Sequence, residues 1–187
     1  MKIISTALII LLSSTSAFSE NVMSGKTNMN MENAQVSKAK SNTIRVGLLG
    51  LTCMFSGGVY TIAGQDGIVS CVSDPSLFHK IGSEAKATGV KKVEIVSHSA
   101  GSVGAVEGAN ILASYNVKAV IAAMDPIVCD MQNKVQAGTK IMRPILSVGW
   151  EPCNPASHLM LFTLPPHTTQ TLDTNNQMRI LQYFKAN

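Results

Sequence analysis

The stretch Val93 to Gly104, VEIVSHSAGSVG, runs from a β-branched apolar segment into a cluster of small residues. Two serines in it fit a loose small-x-Ser-x-Gly pattern, Ser99 in Ser97-His98-Ser99-Ala100-Gly101 and Ser102 in Ala100-Gly101-Ser102-Val103-Gly104. The triplet Ser-x-Gly alone carries little. At roughly 7% usage of each residue it is expected about once in a chain of this length, and Ser56-Gly57-Gly58 is another copy. Context separates the two serines. A strand-to-helix elbow that presents a serine hydroxyl needs a strand just before it, a helix just after, and small residues two before and two after. Ser99 meets this, with Val93–Val96 as the strand and Ser97 and Gly101 as the flanks. Ser102 would lie one turn inside the helix with its hydroxyl turned away. Gly101, Ala105 and Gly108 share one helix face at i, i+4 and i+7, small enough to pack closely against a sheet.

Outward from this turn, apolar runs alternate with helical patterns. The expected strands are Ile44–Leu49, Ile68–Val72, Val93–Val96, Val117–Ala123, Pro144–Val148 and Leu159–Thr163. They are short and mostly lack in/out alternation, as strands covered on both faces do. The expected helices are Ser56–Ala63, Ser76–Ala87, Gly101–Tyr115 and Asn175–Lys185. Asp74 caps the second, with Pro75 in its first turn. Asn116 ends the third, and Thr174 with Gln177 fits a capping box for the last. Cys129–Thr139 reads as helix or loop. The alternation predicts an α/β, three-layer sandwich with a mostly parallel sheet of about six strands. Functional residues of such sheets gather at the carboxyl ends of the strands.

The whole chain has 187 residues, 45% apolar and 14% charged. Residues 1–19, MKIISTALIILLSSTSAFS, have a lysine at position 2, an apolar core from Ile3 to Leu12 and a small-x-small end. They read as a secretory signal peptide, with too short a core for a permanent span. Residues 20–43 are polar and aperiodic, a flexible lead-in, which leaves 44–187 as one domain. Without residues 1–19, the 15 basic and 11 acidic residues become 14 and 11, a net charge of +3. That balance, with no basic run, argues against a nucleic-acid partner. The expected location is exported, either periplasmic or secreted, and the four cysteines then predict two disulfides. Cys53 and Cys71 fall near the ends of the first two strands, and Cys129 and Cys153 on loops around the later ones, so the expected pairs are Cys53–Cys71 and Cys129–Cys153. No Cys-x-x-Cys pair, phosphate loop or dinucleotide fingerprint occurs, so neither a metal nor a nucleotide cofactor is expected.

A serine hydroxyl is a poor nucleophile without a base, and the base needs an orienting carboxylate. Asp125 follows the strand after the elbow, Asp130 stands further on, and Glu151 is the rival acid. Of the histidines, His79 falls on a helix surface, His98 points into the elbow, and His158 precedes the last expected strand. His167, in Leu164-Pro165-Pro166-His167, follows that strand and fits the base.

In that order, Ser97-His98-Ser99-Ala100-Gly101, Asp125-Pro126 and His167 resemble the α/β-hydrolase superfamily, above all its small, lidless, esterase- or lipase-like members. The resemblance spans about Ile44 to Phe184. It implies Ser99 as nucleophile, His167 as base and Asp125 as acid, with Glu151 the alternative because many members carry the acid one strand later. It also implies an oxyanion hole from the amide of Leu51 or Thr52 together with that of Ala100. The family usually has glycine where Ser97 stands, and Glu94 is unusual for a buried strand, which places it at the exposed start. The expectation is an exported serine hydrolase cleaving an ester, thioester or related acyl bond of a small-molecule substrate. A non-catalytic binding protein on a degenerate hydrolase scaffold is the alternative, and a peptidase with the same triad is a third reading.

Overall fold

Ile95–Val96 and Ala119–Ala123 place apolar side chains at successive positions, a pattern that requires cover on both faces of a strand. The computed structural model supplies that cover. It describes residues 43–50, 53, 57–71, 74–154, 158, 167 and 169–187. Among them, β1 (Thr43–Leu48), β2 (Ile68–Ser70), β3 (Lys92–His98), β4 (Lys118–Met124) and β5 (Lys140–Ile141) form one parallel sheet in the order β2-β1-β3-β4-β5. The helices α1 (Gly57–Ala63), α2 (Pro75–Thr88), α3 (Gly101–Ser114) and α4 (Thr174–Ala186) accompany it. On one face Val93, Ile95 and Ile121 pack with Phe78 and Ile81 of α2 and Ala105, Ala109 and Leu112 of α3. On the other, Val96, Val120 and Ala122 meet Val59 and Ile62 of α1 and Ile180 and Phe184 of α4. Each fully buried Ile or Phe contributes on the order of 2 kcal/mol.

The expected α/β class and parallel sheet are present, with five strands among the described residues where the sequence predicts about six. The segment Pro144–Val148 is not a strand: only Ile145 pairs, through an isolated bridge to Met124. Pro144 has no N–H to give to a ladder, and the edge strand forms earlier, at Lys140–Ile141. Cys129–Thr139 contains a 3-10 turn at Met131–Lys134. The leader (1–19), nearly all of the lead-in (20–43) and the predicted strand Leu159–Thr163 lie outside the described residues. Thr43, read as the end of the lead-in, is the first residue of β1.

Asp74 caps α2 as its sequence predicts, accepting from the Ser76 N–H at 2.9 Å. The cap of α4 is Asp173, which accepts from the Asn176 N–H; Thr174 is already helical, and the Gln177 side chain donates to the Thr171 carbonyl instead. Glu94 is not at an exposed strand start. It is 3% exposed, and Arg45 at 2.7 Å and Lys92 at 2.9 Å meet its carboxylate. A strand can bury a carboxylate when cations from its own and the neighbouring strand satisfy it, and Arg45 is the register partner of Glu94. No helix among the described residues is long and apolar enough to cross a membrane.

Both predicted disulfides are present, Cys53–Cys71 and Cys129–Cys153. The first ties the segment after β1 to the end of β2. The second ties the segment after β4 to the loop that follows Ile145.

Candidate active site

The strand order reverses about β1. Its pairing runs to β2 on one side and to β3 on the other, which opens a crevice at the carboxyl ends of β1 and β3. Gly50 and Ser99 stand there. A Cβ on Gly50 would come within 3.1 Å of the Ser99 Cβ, a tight contact, so the glycine eases the close approach of the two chain ends.

Ser99 joins β3 to α3 with φ of 52°, a left-handed conformation uncommon for a serine. Its N–H donates to the Met124 carbonyl at 3.0 Å, which pins the turn to the end of β4. Gly101 is needed at the required spacing: a Cβ there would sit 2.5 Å from the Leu48 carbonyl oxygen. Ser102 is a structural residue. It is buried in α3, and its Oγ accepts from the Ile127 N–H at 3.1 Å. Gly101 faces the sheet as the small-residue face predicts, but Gly108 meets the Phe78 ring of α2 rather than a strand.

His98 pairs with Met124 in the sheet register. Ser99 and Asp125 therefore leave adjacent strands side by side, at the spacing of about 4.8 Å that separates neighbours in a sheet. Asp125 is fully buried and has φ of 44°. Ser147 donates to it twice, from its N–H to Oδ1 and from its hydroxyl to Oδ2, each at 2.6 Å. The His167 Nδ1–H donates to Oδ2 at 2.7 Å, from a ring that is itself buried. An ionised carboxylate only accepts, so Nδ1 carries the hydrogen and the neutral ring keeps its lone pair on Nε2. Among the described residues no hydrogen bond joins His167 to Ser99 Oγ.

Glu151, the alternative acid, is exposed and accepts from the Asn154 side chain at 2.9 Å. Asp130 is also exposed and engages Asn133. The Ala100 N–H, one expected oxyanion donor, makes no hydrogen bond among the described residues. Leu51 and Thr52 lie outside them. His79 is exposed and bonds the Tyr115 hydroxyl. His158, which precedes the last expected strand, stacks on Trp150, which in turn stacks on His167.

His98 stacks on the His167 ring with centroids 4.5 Å apart. Burial, reinforced by the neighbouring His167, lowers its pKa from 6.5 to about 4, with Asp125 opposing the shift, so His98 is uncharged at neutral pH. His98, Asp125 and His167 bring a nitrogen or oxygen within 4.8 Å of one another, a spacing a metal ion could use. Their arrangement suits hydrogen bonding better. Asp125 is committed to Ser147 and His167, and the planes of the stacked imidazoles differ by only 29°, so their in-plane lone pairs do not converge on one point.

Ser147 and Trp150 escaped the sequence reading. Ser147 lies in, and Trp150 just after, the segment expected to be a strand, and Ser147 was the one signal, a polar residue near the carboxyl end of such a segment. Comparison with protein-family models, curated proteins and solved structures finds no match.

Proposed function

We propose that the protein is a serine hydrolase of the α/β-hydrolase type that cleaves an ester, thioester or related acyl bond of a small molecule. One observation carries the reading: the buried Asp125–His167 pair stands at the same sheet rim as a serine in the left-handed conformation of an elbow. In this mechanism Nε2 of His167 takes the hydroxyl proton as Ser99 Oγ bonds to the substrate carbonyl carbon. Asp125 keeps the ring in the tautomer that leaves Nε2 able to accept, and stabilises the imidazolium. The Ala100 N–H, with a donor from the loop after β1, receives the developing oxyanion. His167 then returns the proton to the leaving oxygen or sulfur. Water attacks the acyl-serine by the same route, and Ser99 is restored. A loose Ser–His approach without substrate fits such enzymes, whose bonds tighten in the complex.

The leader-like residues 1–19 and the two disulfides support export to an oxidising compartment.

A fluorophosphonate probe and a p-nitrophenyl ester test the reading. The folded wild type takes one label, at Ser99, and Ser99→Ala takes none. Asp125→Asn lowers kcat by roughly 10⁴-fold, while Glu151→Gln stays close to wild type. A folded wild type that neither labels nor turns over removes the enzyme reading and leaves a binding protein on this scaffold.

A further inference from the structure

Four flat rings are piled beside the Asp125 carboxylate. His98 and His167 lie 4.5 Å apart with planes 29° from parallel, and His167 and Trp150 lie 4.1 Å apart and 1° from parallel. Trp150 and His158 follow at 4.7 Å and 22°. Two rings stacked on the same face of an imidazole would touch one another. Centres only 4.5 and 4.1 Å from that of His167 leave His98 and Trp150 no room side by side on one face, so they cover opposite faces of the ring.

Each flanking ring is anchored. His98 is the buried last residue of β3, and its ring also bonds the His167 backbone. Trp150 is 4% exposed, and its Nε1–H donates to the Pro126 carbonyl at 3.1 Å. Its loop is tied through Cys153 to Cys129. His158 backs Trp150, and the Glu151 carbonyl holds the far ring in turn, at 3.0 Å from Nε2.

We infer that His98 and Trp150 are positioning residues that clamp the His167 ring between two flat faces, so that it keeps its Asp125 bond while it gains and loses a proton. A single hydrogen bond at Nδ1 leaves an imidazole free to tilt about that bond. Faces on both sides remove the tilt and direct Nε2 along one line. The π face of Trp150 also favours the ring when it is charged. The ionisable groups around His167 fit this role. Asp125, at the end of β4, bonds the ring; His98, on β3, is neutral and sets no like charge against it; on the loop side, Glu151 is exposed and accepts from Asn154, and His158 stacks on Trp150. The inference rests on the reading of His167 as the base.

The test reads the His167 Nδ1 proton directly. In a ¹H NMR spectrum of the full chain, a proton held between imidazole and buried carboxylate gives a low-field signal that His167→Gln removes. Trp150→Phe and Trp150→Leu both lose the bond to Pro126, so their comparison isolates the flat face. The signal persists in Trp150→Phe and His98→Phe. In Trp150→Leu it broadens through exchange with water, and kcat falls about tenfold with KM within about twofold, as expected when orientation rather than binding is lost. A sharp signal and undiminished kcat in Trp150→Leu overturn the inference. So does a signal lost equally in Trp150→Phe, which would assign the effect to the Pro126 bond. The signal needs no substrate, so it decides the clamp even if Ser99 takes no phosphonate. That second failure strikes the hydrolase reading alone.

Discussion

Ser99 and His98 are neighbours in sequence with opposite requirements. Ser99 must hold φ of 52°, which costs a non-glycine residue on the order of 1 kcal/mol or more. The tightly paired ends of β1, β3 and β4 impose it. His98 must stay neutral, because a charge there would be buried beside the His167 ring. Its folded pKa, about 4, lies below the usual 6.5. The unfolded chain therefore binds this proton more readily than the fold does. Stability is full above pH 6.5 and is lost as pH falls towards 4, by an amount on the order of 3 kcal/mol for this group. Melting curves at pH 7.5 and pH 5 check this. His98→Phe, which has no proton to gain, melts with a smaller difference between the two. Ser97 was legible as the small residue before the elbow. What stayed hidden is that its Oγ is buried without a hydrogen-bond partner among the described residues, a cost a glycine at this position would not carry.

At the scale of elements, α3 sets the elbow by how closely its first turn approaches β1. Gly101 would place a Cβ 2.5 Å from the Leu48 carbonyl oxygen and 2.8 Å from that of Leu49. Both are backbone atoms that cannot rotate away. Gly101→Ala is expected to push the helix outward and cost about 2 kcal/mol, within the range for overpacked sites. A denaturant midpoint reads the cost, and phosphonate labelling at Ser99 slows by at least tenfold because its hydroxyl shifts with the turn. A midpoint and a labelling rate both equal to wild type would show that α3 has room to spare. Strand and helix identities were legible here because apolar runs and caps are local. The edge of the sheet was not, since pairing at Lys140–Ile141 and Ile145 depends on which segment reaches β4 first. The α4 cap slipped by one residue because Asp173 and Thr174 are both good caps, and only the path of the chain selects between them.

Across the whole molecule, the disulfides tie loops to the rim that carries Ser99, Asp125 and Trp150. Cys129 and Cys153, 24 residues apart in sequence, join the loop after Asp125 to the loop that carries Ser147 and Trp150. A cross-link of that span contributes roughly 3 kcal/mol in the chain-entropy model. Replacing both cysteines by serine is expected to lower the denaturant midpoint accordingly. On the proposed mechanism it also reduces kcat more than it raises KM, because the tied loop carries Ser147 and Trp150, which hold Asp125 and the His167 ring. Equal losses in kcat and 1/KM would contradict that assignment.

From the amino acids alone came the alternation of buried strands with capped helices, the elbow around Ser99, and the cysteine pairs, because each is written in neighbouring residues or in their position along the strands. Which acid meets His167, the two bonds Ser147 gives to Asp125, and the rings on either side of His167 were decided only in three dimensions. They depend on which segments the sheet brings to one edge, and burial leaves Asp125 the carboxylate within reach of the His167 ring while Glu151 stays in water.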